Sequence, residues 1–428
     1  MRISTLQAFN NGVAGIQRNY SNATRTQEQI STGNRILTPA DDPVASVRLL
    51  QLEQQQNVLS QYNSNLTAAK NSLTQEEVTL NSVNTVLQRV RELAVQAGNG
   101  ALDPQDRKAI AAELGEREDE LLSLMNTRNA RGEYLFSGFQ GKTQPFVRGA
   151  DGSYSYQGDE GQRKLQVASS LNVPISDNGK SIFESVTNAG RLNSALATEP
   201  TGSTLRVYAP LVQDEVAFSA FPSAGIEIVF NDAPDERTYR VFEYGADTST
   251  APPLATGRMD DDADKSDKLV FSGVALHLDG VSVGGERAVV LPGKISIDSG
   301  TGAITTGPVA NKQGILDTIA SLRMALESPA TSSNGVRDTV AVALTNLDHG
   351  MVSVDQARGN IGARLNVIET TQTDNEDVAL VNKGVQAELR ELDYAEALSR
   401  LSMQTVVLEA AQQSYVKIAG LSLFNVMR

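Results

Sequence analysis

Leucine recurs every seven residues from Leu52 through Leu59, Leu66, Leu73 and Leu80 to Leu87. A straight α-helix drifts off a period of seven, so a seam held over this many repeats predicts a long helix lying along a partner helix. The flanking positions Gln55, Tyr62, Ala69, Glu76, Val83 and Val90 mix polar with apolar side chains. That mixture predicts one wet flank and bundle-like packing more than an isolated two-stranded coil. Asp41 or Asp42 offers an N-cap, and Pro43 falls at the first helical position, where a missing N–H costs nothing. Gly98-Asn99-Gly100 ends the run. At a rise of roughly 1.5 Å per residue the helix is on the order of 80 Å long, a rod more than a ball.

Asp103-Pro104 opens a second helix with Ile110, Leu114, Leu121 and Leu124 on one face, predicting an antiparallel hairpin with the first. Much later, Val340, Leu344, Leu347, Met351, Val354, Arg358, Ile361, Leu365 and Ile368 step by four and three and supply a third long helix. Between these arms the period changes to two. Ser153–Tyr156, Arg163–Val167 and Ile226–Phe230 alternate and are bounded by Gly, Pro and Asp, as short antiparallel strands are. The polar loop 231–237, with Pro234, joins Ile226–Phe230 to Thr238–Tyr244 as a hairpin, expected at the surface. The fold class is therefore α+β: an elongated helical bundle formed by N- and C-terminal arms, with an inserted antiparallel β-rich domain. Its expected divisions are residues 1–42 with 385–428, residues 43–131 with 311–384, and the insert 132–310.

The two ends differ from the rods. Ile3, Leu6, Val13 and Tyr20 have partly helical spacing interrupted by Asn10, Gln17 and Thr24, in a segment of middling helix propensity. Near the other end Tyr394, Leu398, Leu401, Leu408, Tyr415 and Ala419 form a stripe, and Ile418, Leu421, Leu423, Phe424 and Val426 crowd the terminus. Such a stripe needs a partner, either the opposite terminus or another molecule.

Composition narrows the function classes. The 428 residues carry a net charge of −14, which repels a phosphate backbone and an anionic membrane, so neither nucleic acid nor membrane is an expected partner. No window approaches a membrane-spanning run, and the start lacks the apolar stretch of a cleaved signal peptide. There is no Cys, and there are two His, so thiolate chemistry is excluded and a His-ligated metal is barely possible. Gly138–Thr143 imitates the end of a phosphate-binding loop, but Phe136 stands where its first glycine belongs. Asp260, Asp262 and Asp264 imitate the first ligands of a calcium loop, but Lys265 replaces the turn glycine and Phe271 the closing Glu, so a solvated loop is expected. His277 and His349 lack a second His at ligand spacing and read as structural, and Glu118-Asp119-Glu120 reads as the wet face of a helix. No catalytic, cofactor-binding or metal-ligating residue is assigned, and no enzyme activity is expected.

Ile30-Ser-Thr-Gly-Asn-Arg-Ile36 followed by Pro39-Ala-Asp-Asp-Pro43 resembles the N-terminal segment of flagellins and their junction proteins. Asn129-Ala-Arg-Gly-Glu-Tyr-Leu-Phe-Ser-Gly138, continuing to Pro145-Phe146, is similar more sharply to the hook-associated protein 3 family, the junction proteins on the filament side. Asp393–Leu401, Ala410–Tyr415 and Leu421–Phe424 are similar too, so the resemblance covers roughly the first 145 and last 115 residues. It implies a structural junction between flagellar hook and filament, with both terminal helices in an inner layer, a bundle outside them and a β-rich insert on the surface. The assembly residues it implies are Ile3, Leu6, Val13, Tyr20, Leu401, Leu408, Tyr415, Ile418, Leu421 and Phe424. The implied partners are further copies of the chain in a ring, hook-associated protein 1, flagellin and a flagellar export chaperone. The implied location is extracellular, on the flagellum, after type III export without a cleaved signal peptide. The alternatives are a flagellin subunit, or a helical adhesive or signalling module whose β insert binds a ligand.

Overall fold

Seven α-helices, a π-helical turn (Lys180–Glu184), a 3-10 turn (Ala189–Arg191) and fifteen short strands make up the regular structure of a computed structural model, which describes residues 2–198, 200, 202–260, 266–297, 304–329 and 333–426. The leucine repeat lies in α2 (Pro43–Ala97), which follows α1 (Arg2–Thr32). Asp42 is the residue that caps α2: its Oδ1 accepts from the Ala45 amide at 2.9 Å. The hairpin partner is α3 (Pro104–Met125), whose Asp103 cap accepts from the Gln105 and Asp106 amides. Next come β1 (Phe146–Arg148), β2 (Tyr154–Tyr156), β3 (Lys164–Gln166), β4 (Asn172–Pro174), β5 (Leu192–Thr198), β6 (Arg206–Val207) and β7 (Leu211–Val212). A one-turn α4 (Glu215–Phe218) precedes β8 (Ile226–Phe230), β9 (Thr238–Glu243), β10 (Ala255–Arg258), β11 (Asp267–Phe271), β12 (Val274–Asp279), β13 (Arg287–Pro292), β14 (Lys294–Ile297) and β15 (Ile304–Gly307). The chain closes with α5 (Ile315–Glu327), α6 (Ser333–Arg390) and α7 (Tyr394–Val426).

The backbone divides into two compact units, cut inside α2 and α6. The first holds residues Met1–Thr67, Gln166–Leu171 and Ile368–Arg428, the second Ala68–Leu165 and Asn172–Val367. In the first unit α1 lies along α7, and the early turns of α2 lie along the late turns of α6. Asn375 donates to Asn63 across that second pair at 3.3 Å, and the 166–171 turn is held by Asn65 Nδ2 donating to the Gln166 carbonyl at 2.7 Å.

In the second unit Leu73, Leu80, Val83, Leu87 and Val90 of α2 are fully buried, with Leu114 and Leu121 of α3 and Val354 and Ile361 of α6. Ion pairs cross the seams, Arg89 to Glu113 at 2.8 Å and Arg91 to Asp348 at 2.7 Å. The wet flank expected from the heptad holds at Gln55, which is exposed, and is corrected farther along the helix, where Ala69, Glu76, Val83 and Val90 are all buried. α5 is a fourth helix of this bundle, packed on α3 through Ile315, Ile319, Leu322 and Leu326.

The β region of the second unit contains two main antiparallel sheets, ordered β10-β9-β8-β13-β5 and β11-β12-β6, with β7 also paired to β12. The alternating strands read from the sequence are present, and β8 pairs β9 with Ile226 opposite Glu243. The hairpin is not superficial, however. β8 lies at the middle of its sheet, and Ile226, Ile228 and Phe230 enter a shared apolar core with Val241, Leu276, Leu278 and Val290. Glu227, on the opposite face, is buried against Arg287 at 2.8 Å, so β8 is covered on both faces.

Candidate assembly surface

The joint between the terminal helices begins at Gly33. α1 stops there because Gly33 takes φ +71°, a left-handed conformation that suits glycine, and its amide closes the last turn on the Gln29 carbonyl at 2.9 Å. The space beside it is also taken, since a Cβ on Gly33 would lie 2.9 Å from the Tyr394 hydroxyl. The chain then pairs briefly with the segment before α7: Arg35 N donates to the Arg390 carbonyl at 2.8 Å and Leu392 N to the Gly33 carbonyl at 3.0 Å. Arg390 Nε donates to Asn34 Oδ1, and Gln29 Nε2 to the Arg35 carbonyl. Asp41 organises the turn that follows, accepting from the amides of Leu37 and Thr38 and pairing with Arg25. The segment Ile30–Pro43 is thus a built hinge that delivers α1 to α7.

From this joint the two helices run antiparallel. Phe9 packs on Tyr415 with ring centroids 5.2 Å apart, and Gly12 leaves the room Tyr415 occupies, because a Cβ there would lie 3.1 Å from its ring. Nearer the joint, Asn19 and Asn22 lie beside Arg400, Met403, Gln404 and Val407. Leu401, Leu408, Tyr415 and Val13 are half-buried, while Tyr20 is 64% exposed. Ile3, Leu6, Ile418, Leu421 and Phe424 belong to the two helices, but their side chains lie outside the described residues.

A second set of exposed apolar residues on α7 goes beyond the stripe read from the spacing, which included only Leu398 of them. Leu398, Val406 and Val416 are exposed, Val406 at 61% and Val416 at 68%. Between Tyr394 and Val416 the helix carries only Glu396, Arg400 and Glu409 as charged residues, and the first two pair with each other at 2.6 Å. The signal was present in that near absence of charge, which a search for one stripe does not detect. A helix apolar on two sides, of which one is covered by α1, presents the other for burial.

The junction-type signature Asn129–Gly138 does a different job in the second unit. Asn129 Oδ1 accepts from the Arg131 and Glu133 amides, setting a tight turn. Tyr134, Leu135 and Phe136 are buried, with Phe136 edge-on to Phe183 at 5.1 Å and Arg128 over the Tyr134 ring at 4.3 Å. Arg163 and Asn129 hold the Glu133 carboxyl below its usual range, and the Phe139 and Gly161 amides do the same for Asp159. Gly138, at φ +68°, sits where a Cβ would strike Asp159. This motif is a folding device. The glycines resembling a phosphate loop belong to the turns around it, and β1 follows them.

Buried charge concentrates at two places. Glu118, expected on a wet face, is instead fully buried; it accepts from Arg323 Nε at 2.8 Å and from the Tyr154 hydroxyl at 2.5 Å, and Arg148 lies 3.2 Å away. It stands four residues after Leu114 and three before Leu121, on the buried stripe, and joins α3 to α5 and β2. Glu76 accepts from the Asp177 amide at 3.1 Å, and its carboxyl is pushed up to about 8, first by burial and then by the nearby Asp177 carboxylate, which Arg364 grips through two hydrogen bonds of 3.0 Å. His349 faces the Thr187 carbonyl at 3.0 Å and His277 lies on β12, far apart in sequence and each without further His, Cys, Asp or Glu gathered as metal ligands among the described residues. Residues 261–265 of the acidic loop lie outside the described residues.

Residues 3–141 match the bacterial flagellin N-terminal helical region. Flagellar hook-associated protein 3 of Salmonella typhimurium is 35% identical over 203 residues, covering 47% of this chain and 61% of the relative. The crystal structure of flagellar hook-associated protein 3 from Legionella pneumophila superposes with a TM-score of 0.63 at 25% identity, over 79% of this chain and 98% of that one. The likeness is to flagellar hook-associated protein 3. A flagellin of Clostridium tyrobutyricum matches at 32% identity but over only 30% of this chain and 34% of its own length. The chain spans about three fifths of the length of the hook-associated protein 3 relative from Salmonella. The fold is that of this group: helical N- and C-terminal regions around an inserted antiparallel β domain.

Proposed function

We propose that the chain is a structural subunit of the bacterial flagellum that joins the hook to the flagellin filament and carries no active site. The observation that carries this reading is the uncovered apolar face of α7, set on a helix already paired with α1. An isolated subunit gains nothing from that face, whereas a polymer buries it, at roughly 1.5–3 kcal/mol for each large side chain. Residues 1–42 with 385–428 form the polymerising region, residues 43–131 with 311–384 the supporting bundle and residues 132–310 the surface insert. Ile3, Leu6, Val13, Tyr20, Leu401, Leu408, Tyr415, Ile418, Leu421 and Phe424 act in the assembly interface, some by pairing the terminal helices and the rest between subunits. The partners are other copies in a ring, hook-associated protein 1 and flagellin, with an export chaperone before secretion to the cell exterior. The greater share of chain matched by hook-associated protein 3 than by flagellin favours the junction over the filament itself.

Deletion of the coding gene followed by electron microscopy separates the two flagellar roles. The junction role yields cells with hooks and no filaments, and flagellin released into the medium. Filaments of normal number and length would overturn it.

A further inference from the structure

We propose that Asn99, in the turn between α2 and α3, is a site of spontaneous deamidation, a self-modification that converts this side chain to a mixture of aspartate and isoaspartate. Four asparagines precede a glycine, at positions 11, 99, 178 and 334, and glycine is the follower that hinders least an attack by its own nitrogen on the preceding carboxamide. The structure separates the four. Asn11 lies inside α1, where helical ψ turns the next amide nitrogen away from the side chain, and Asn334 lies in the first turn of α6. Asn178 is buried and engaged. Its Oδ1 accepts from the Ser181 amide at 2.9 Å, and the Gly179 amide, the attacking group, donates to the Phe136 carbonyl at 2.8 Å.

Asn99 differs on each count. It is exposed, no heavy atom beyond Gly100 and its chain neighbours lies within 4 Å of a Cβ built on Gly100, and the Gly100 amide has no hydrogen-bond acceptor among the described residues. The Ala101 amide donates to Asn99 Oδ1 at 3.1 Å, which folds the carboxamide back over the peptide it must react with. That same N–H stabilises the negative charge that develops on Oδ1 as the nitrogen adds. In the step itself Gly100 N loses its proton to hydroxide or buffer base and bonds to Asn99 Cγ, then the Cγ–Nδ2 bond breaks as Nδ2 takes a proton from water or the protonated buffer and leaves as ammonia. Water then opens the resulting five-membered imide at either carbonyl, giving aspartate or a main chain rerouted through the side chain. No oxidant or cofactor is required.

The product carries a new carboxylate beside the C-terminal end of α2, the negative pole of the helix. It also lies close to Asp103, the cap of α3. The charge of the chain, −14 at synthesis, therefore drifts negative with age.

The test is peptide mapping by mass spectrometry of the folded full chain after warm, mildly alkaline incubation, following replacement of ammonia by water at each Asn-Gly pair. The Asn99 peptide converts about tenfold or more faster than the Asn178 peptide, because the latter must first open locally. In denaturant the two rates converge. Gly100→Ala, placed in open space, slows conversion at Asn99 by about tenfold or more with unchanged circular dichroism. Equal rates at Asn99 and Asn178 in the folded chain, or an Asn99 that stays intact while the denatured chain converts, would overturn the proposal.

Discussion

Glu76 shows how one side chain can be misjudged from its chemical type. It sits between Leu73 and Leu80 on the heptad flank, and a carboxylate there suggests water, yet it is buried beside Asp177. Glu118 repeats the lesson, since its spacing from Leu114 and Leu121 placed it on the buried stripe and only its charge argued otherwise. What the sequence could not show was the partner: Arg323 comes from α5 and the Asp177 amide from a distant loop, and one-dimensional periodicity carries no information about either. The raised Glu76 pKa makes a pH prediction. The folded chain keeps a proton up to about pH 8 that the unfolded chain gives up near 4.5, so stability falls as pH rises through that window. The loss from this group is at most about 1.4 kcal/mol per pH unit. Glu76→Gln keeps an acceptor for the Asp177 amide and does not titrate. Its melting temperature by calorimetry is expected to exceed that of the parent by a margin growing between about pH 5 and about pH 8 and constant above. A margin independent of pH would show that Glu76 is ionised in the folded state.

Among elements, the long helices were the most legible, because seven-residue repetition, an Asp-Pro start and a Gly-Asn-Gly stop all agree on α2 (Pro43–Ala97). α5 was missed although Ile315, Ile319, Leu322 and Leu326 step by four, three and four; at thirteen residues it was absorbed into the approach to α6. The β8–β9 pair was found, but its depth was not, since a core strand covered on both faces differs from a surface strand only by what packs on it. The joint between α1 and α7 was legible as a motif and not as a structure. Its geometry predicts that Gly33→Ala, forced into φ +71° and against Tyr394, costs at least about 1–2 kcal/mol of local stability. Hydrogen exchange should show faster opening of the 25–42 and 389–400 backbones with the second unit unchanged. Uniform loss of protection in both units would place the glycine in the global core instead.

For the whole molecule, a cysteine-free, acidic chain with no helix long and apolar enough to cross a membrane among the described residues divides its apolar surface into two kinds. Leucine seams and a β core bury one kind within the chain, and α7 leaves the other uncovered. The central claim is that this second surface serves assembly and not folding. The measurement that tests it most directly is electron microscopy of cells whose only copy carries Val406→Asp and Val416→Asp, combined with circular dichroism and melting of the purified variant. Both side chains are exposed in the single chain, so helix content is expected to match the parent and stability to stay within about 0.5 kcal/mol per site, and the exported variant should appear in the medium beside hooks without filaments. Normal filaments built on an exported variant, or a variant that no longer folds, would contradict the division between a folding core and an assembly face.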